Sequence, residues 1–167
     1  MSLGLRAASA ATVVALALGA AGCEDEDSDY VPPEVCASGD VAPDLEESPL
    51  MRPGGDCIGC HAGDEGPSYD LAGTVMVGAD DDTNCNGVGG IAVEITDANG
   101  AVLTLATNAA GNFFHEVQAG AVALPYTARV LYQGRVRAMA SAQTEGSCNG
   151  CHSDTGANGA SGRILVP

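Results

Sequence analysis

The chain has 167 residues, enough for one domain, and sets 22 carboxylates against six basic residues for a formal charge of −16. Every one of those bases is Arg. Such a balance excludes nucleic acid and anionic lipid headgroups as partners and favours cationic ones.

Residues 1–22 read as an export signal. Arg6 is their only charge, and Ala7 to Ala21 form an apolar stretch interrupted by Ser9, Thr12 and Gly19. That run is too short to cross a membrane with ordinary flanks. It ends in Leu18-Gly19-Ala20-Ala21-Gly22-Cys23, which resembles a bacterial lipoprotein box, with Ala20 where Leu is usual. The resemblance implies that Cys23 becomes the first mature residue and carries lipid. A plain signal peptide cut near Ala21 is the alternative. Without residues 1–22, five Arg face 22 carboxylates, a net −17.

Residues 23–47 are predicted to be an acidic, disordered tether. Ten acids and no base occupy 24–47, and Pro32, Pro33 and Pro43 interrupt any helix. A run so charged and so poor in large apolar groups stays extended and solvated.

Residues 48–68 contain Cys57-Ile58-Gly59-Cys60-His61, and 142–167 contain Cys148-Asn149-Gly150-Cys151-His152. Cys-x-x-Cys-His is the attachment signature of a c-type haem. Thiols three positions apart lie on one side of a helical turn, where they add across two vinyl groups, and the following His ligates iron. Two covalent haems are therefore predicted, on Cys57 and Cys60 and on Cys148 and Cys151, with His61 and His152 as proximal ligands. A zinc knuckle, needing four convergent ligands, and a pair of disulfides are the competing readings.

Between the motifs, 69–141 reads as strands. Gly73–Gly78 is short and β-branched; Ile91–Thr96 and Val102–Thr107 alternate with period two, and Phe113–Val117 more loosely. Asp97-Ala98-Asn99-Gly100 and Asn108 to Asn112 carry hairpin chemistry. Tyr126–Tyr132 and Arg135–Met139 follow, split by Gln133-Gly134. Six strands with frequent turns predict an all-β fold, an antiparallel β-sandwich flanked by two irregular haem-binding segments. An even number of antiparallel passes returns the chain to its starting end, so the two motifs should lie close together.

The stretch GTVMVG…GVGGIAVEITDANGAVLTLATNAAGNFF…YTARVLY resembles the carboxypeptidase regulatory-like, or transthyretin-like, β-sandwich; an Ig-like sandwich is the competitor. That fold implies no chemistry by itself. The flanks MRPGGDCIGCH and GSCNGCHSDTGANGASGRILVP are similar to small di-haem cytochromes built around such a module. Class I cytochromes c differ, because they fill the interval after the motif with helices.

Seven cysteines leave an odd count in an oxidising compartment. Four belong to the haem motifs and Cys23 to lipid, which leaves Cys36 and Cys85 to form a disulfide. Its loop of about 50 residues makes it worth ~4 kcal/mol if unstrained. Two unrelated thiols are the alternative.

Three His cannot supply two bis-His haems. Distal candidates are therefore Met51 and Met139, each just ahead of a motif, then His115, with Met76 the remaining thioether. Asp82, Asn84, Asn86 and Gly87 match the opening of a calcium loop, but Val93 stands at its twelfth place and Glu94 one later, so a solvated turn is preferred.

The function these readings imply is electron transfer by a membrane-tethered di-haem c-type cytochrome at the bacterial envelope. It would face the periplasm or the cell surface from the outer membrane. Its partners would be redox proteins with a basic docking face, and self-association is compatible with the reading. The alternatives are a di-haem peroxidase-like enzyme, for which no distal His–Arg arrangement is found, and a haem-bearing binding or sensor module.

Overall fold

A computed structural model describes residues 48–61, 66–78 and 87–167. Two sheets hold these residues together. Strands β1 (Tyr69–Met76), β4 (Asn112–Glu116) and β7 (Ile164–Leu165) form one, in the order β4-β1-β7. The other runs β3-β2-β5-β6, from β2 (Ala92–Thr96), β3 (Val102–Ala106), β5 (Thr127–Tyr132) and β6 (Arg135–Ala138). The described residues form an all-β fold, as their patterning predicts. Among the described strands pairing is antiparallel except for the two residues of β7, which lie parallel to Val75 and Met76.

Alternation explains the pairing. In β2, Val93 and Ile95 are buried while Ala92, Glu94 and Thr96 are half-exposed, the period-two signal of a strand with one wet face. Both sheets contribute to one core. Leu71, Val75 and Phe113 come from the first; Val93, Ile95 and Val130 from the second; and Ile91 and Tyr126 precede strands of the second.

The predicted turns form by side-chain chemistry. Asp97 Oδ1 accepts from Asn99 N and Ala101 N, both at 2.8 Å. Asn108 Oδ1 accepts from Ala110 N at 3.0 Å and Asn112 N at 3.1 Å. Gly111, at φ +80°, is needed here, since a Cβ on it would sit 2.5 Å from Val75 O.

Two differences from the sequence expectation matter for the site. The first strand begins at Tyr69 rather than Gly73, and β7 lies beyond the second motif, where no strand was predicted. At two residues, β7 carries too little pattern to read. It covers an edge of β1 that would otherwise expose its main-chain groups. That edge is shared: Ala72 N donates to Gly146 O at 3.0 Å, and Val166 N donates to Met76 O at 3.2 Å. The second motif leaves the sheet between these two contacts.

Candidate functional site

Each motif is one helical turn, α1 (Cys57–His61) and α2 (Cys148–Cys151). The turns are built alike. Asp56 Oδ1 accepts from Gly59 N at 3.0 Å, and Ser147 Oγ accepts from Gly150 N at 3.3 Å. Each is an N-cap, a short polar side chain meeting an orphan N–H of the first turn. Cys57 Sγ donates to Gly55 O at 3.6 Å, and Cys148 Sγ to Gly146 O at 3.7 Å. The glycine inside each motif keeps its cap closed. A Cβ on Gly59 would lie 2.8 Å from Asp56 Oδ2, and one on Gly150 3.0 Å from Ser147 Oγ. The shared unit is thus seven residues long, Gly-(Asp/Ser)-Cys-x-Gly-Cys-His.

These two units are locked to each other. Ser147 Oγ donates to Asp56 Oδ1 at 2.5 Å, joining cap to cap across 91 residues of sequence. Asn149 Nδ2 donates to Gly55 O at 2.7 Å, and Ile58 Cδ1 comes within 3.2 Å of where a Gly146 Cβ would stand. The variable residue of each motif therefore reaches the leading glycine of the other.

Beneath them lies Thr74 of β1. Its N–H donates to Asn149 Oδ1 at 3.1 Å, so a side-chain amide fills a strand partner's place. Its Oγ1 accepts from Gly54 N at 2.8 Å and Asn149 Nδ2 at 3.1 Å, and donates to Asn112 Oδ1 at 2.8 Å. Asn112 Nδ2 donates onward to Met51 O at 2.9 Å. Thr74, Asn112 and Asn149 are all buried, and this network satisfies them.

The histidines differ. His152 Nδ1 lies 2.8 Å from Gly162 O, which fixes Nδ1 as the donor and leaves Nε2 as the lone-pair nitrogen. His61 Nδ1 is buried and meets no hydrogen-bond partner among the described residues. Its ring packs 4.8 Å from Tyr69, which stacks at 4.8 Å on Phe114.

The leading thiols are held as thiols. Burial pushes Cys57 up, with the Asp56 carboxylate adding to it. Burial pushes Cys148 up to about 12, and the neighbouring Cys57 and Cys151 reinforce the shift. Cys148 keeps a partly exposed edge while packing against the core. Tyr126 beside it is raised mainly by burial and then by Cys148, and its hydroxyl donates to Glu145 O at 2.6 Å.

This donor chemistry suits haem attachment. Each motif offers two thiols and an imidazole on one turn, and the hydrogen bond of His152 is the usual outer contact of a metal-ligating His. Among the described residues no disulfide forms, and no three His, Cys, Asp or Glu side chains converge as a metal-ion cluster. The thiols are not gathered as a tetrahedral zinc site would gather them.

The distal candidates stand on different elements. Met51 belongs to the segment before α1 and is tied by its carbonyl to Asn112. Met139 extends the β5–β6 pairing, its N–H donating to Ala128 O at 3.0 Å. Met76 is a core residue, 1% exposed. His115 sits opposite Leu71 on β4 with Nδ1 2.7 Å from Asp70 Oδ1, and Asp70 Oδ2 accepts from Val122 N. It borders a groove of about 190 Å³ with Asp97, Leu103 and Val122, and no motif residue lines that groove. Cys23, Cys36, Cys85 and the calcium-loop positions Asp82, Asn84 and Asn86 lie outside the described residues.

Sequence reasoning missed Asp56, Ser147, Asn149, Thr74 and Asn112. A signal existed for the first two: a short polar residue directly before each leading Cys is an N-cap signature. Comparison of the chain with protein-family models, curated proteins and solved structures returned no match. No helix among the described residues is long and apolar enough to cross a membrane.

Proposed function

We propose that this chain is a di-haem c-type cytochrome that carries electrons between redox partners at the bacterial envelope, with its strands forming a transthyretin-like sandwich. One observation carries the reading: both Cys-x-x-Cys-His motifs fold as the same capped turn and are locked together over Thr74. Cys57 and Cys60 would hold one haem and Cys148 and Cys151 the other, with His61 and His152 on the irons. Bound there, the haems supply reversible one-electron chemistry, and the chain sets their ligands, burial and spacing.

The chain's own residues do the positioning. Asp56, Ser147 and Asn149 fix one turn against the other, and β1 serves as a rigid floor. A holder of this kind needs no moving part. Lipid on Cys23 would tether it, a Cys36–Cys85 disulfide would pin the acidic segment to the domain, and the net −17 surface would favour a partner with a basic docking face.

Optical titration with carbon monoxide and cyanide tests electron carriage against catalysis. Two six-coordinate irons inert to both ligands are expected. An iron that binds them readily would instead favour a catalyst or sensor. Changing Cys23 to Ser should release the protein from the membrane fraction, and a variant that stayed bound would refute the lipid anchor.

A further inference from the structure

We infer that the two sites are unequal in potential, the His61 site being the higher, so that an electron reaching the His152 site passes on to the His61 site. The inference rests on the di-haem reading above. It comes from what each imidazole does with its second nitrogen.

His152 Nδ1 donates to Gly162 O at 2.8 Å. The loop that brings this carbonyl over the ring is tightly wound. Ala157 N donates to Cys151 O at 2.7 Å, and a Cβ on Gly156 would lie 2.1 Å from Ala160 O and 2.5 Å from Gly162 N. Gly162 itself sits at φ +122°, where other residues are strained. An imidazole whose Nδ1–H is so engaged is a more basic ligand through Nε2. A more basic ligand stabilises the oxidised iron and lowers its potential.

At His61 the same nitrogen is buried without an acceptor among the described residues. The Tyr69 ring lies 4.8 Å from the His61 ring, and a Cβ on Gly66 would be 3.0 Å from both Nδ1 and Cε1. This imidazole stays the weaker donor and leaves its iron the easier to reduce.

Among the described residues, charge does not reverse the order. Asp56 touches both caps through Gly59 N and Ser147 Oγ, so it biases neither site strongly. Glu116, Glu145 and Asp154 are exposed, and salt screens them.

The test uses the matured full-length protein and two single-haem variants, Cys57→Ala/Cys60→Ala and Cys148→Ala/Cys151→Ala. A haemochrome assay on each comes first, then spectropotentiometric titration. The haem left on the His61 motif should be reduced first, by at least a tenfold preference, which is ~59 mV for one electron. Equal or reversed midpoints would overturn the inference while leaving the di-haem reading intact. Absence of haem from the parent protein would end that reading, and this inference with it.

A second measurement needs no variant that must fold. In ¹⁵N-edited spectra of the ferrous parent protein, His152 should show a slowly exchanging Nδ1–H shifted by its hydrogen bond, and His61 should not. Matching signals from both rings would contradict the assignment. Gly162→Ala, which displaces the accepting carbonyl, should raise only the His152-site potential, and an unmoved midpoint would count against the mechanism.

Discussion

Replacing Asn149 with Ala is the most informative single perturbation. Asn149 is 6% exposed and makes three hydrogen bonds: to Gly55 O, to Thr74 Oγ1 and from Thr74 N. Alanine removes the partner of the Thr74 N–H; Thr74 is only 2% exposed, and among the described residues no backbone group covers that point of the β1 edge. A buried donor left unsatisfied costs about 1–3 kcal/mol. Gly55 O is only half-buried and recovers part of its loss from water, so it adds ~0.5–1 kcal/mol. Thr74 Oγ1 keeps Gly54 N and Asn112. The expected loss is therefore ~1.5–4 kcal/mol, a large fraction of a stability of about 5–15 kcal/mol. Equilibrium urea unfolding followed by far-ultraviolet circular dichroism measures it, and the midpoint should fall with the slope unchanged. A loss below ~0.5 kcal/mol, the level of an ordinary surface change, would show that Asn149 does not join the motifs as described.

Three further outcomes are expected. In the haem-free chain, Cys148 should alkylate far more slowly at pH 8 than the same thiol in the urea-unfolded chain. A thiol moved from 9.0 up to about 12 loses ~10³ of its thiolate, and timed mass spectrometry showing equal rates would contradict that burial. The same thiol links stability to pH: folded Cys148 holds its proton to about 12 while the unfolded chain releases it near 9.0, so its contribution is intact below pH 9 and lost as pH rises towards 12. Thermal melts at pH 8 and 10.5 should show the decline, and Cys148→Ala should reduce it. Finally, Asp56→Ala and Ser147→Ala should each cost ~1 kcal/mol as lost caps, and their double-mutant cycle should show coupling; strict additivity would mean that the caps do not meet.

Much of the scaffold was legible because its cues are local. Val93 and Ile95 alternate with polar neighbours, and Asp97 and Asn108 carry turn chemistry, so β2, β3 and the start of β4 stand close to where pattern places them. Strand parity also anticipated the meeting of the motifs, since six strands among the described residues separate α1 from α2. The joint itself was not legible. Asn149 reads as a filler between two cysteines, and only the β1 edge, 75 residues earlier in the chain, gives its amide a purpose. Thr74 likewise looks like one β-branched strand residue among several. Its hydroxyl gains importance from Gly54, Asn112 and Asn149, which no periodicity links. Strand β7 escaped notice because two residues carry no period, and its place depends on the edge it covers.

The central claim is that Cys57, Cys60, Cys148 and Cys151 hold two haems by covalent bonds. Intact mass of the mature protein after acid–acetone extraction, paired with a pyridine haemochrome assay, tests it most directly. The account predicts the mass of two haems retained on the polypeptide and a haemochrome count of two per chain, with Cys148→Ala/Cys151→Ala retaining one. Haem that extracts completely, or four alkylatable motif thiols in the mature protein, would contradict it.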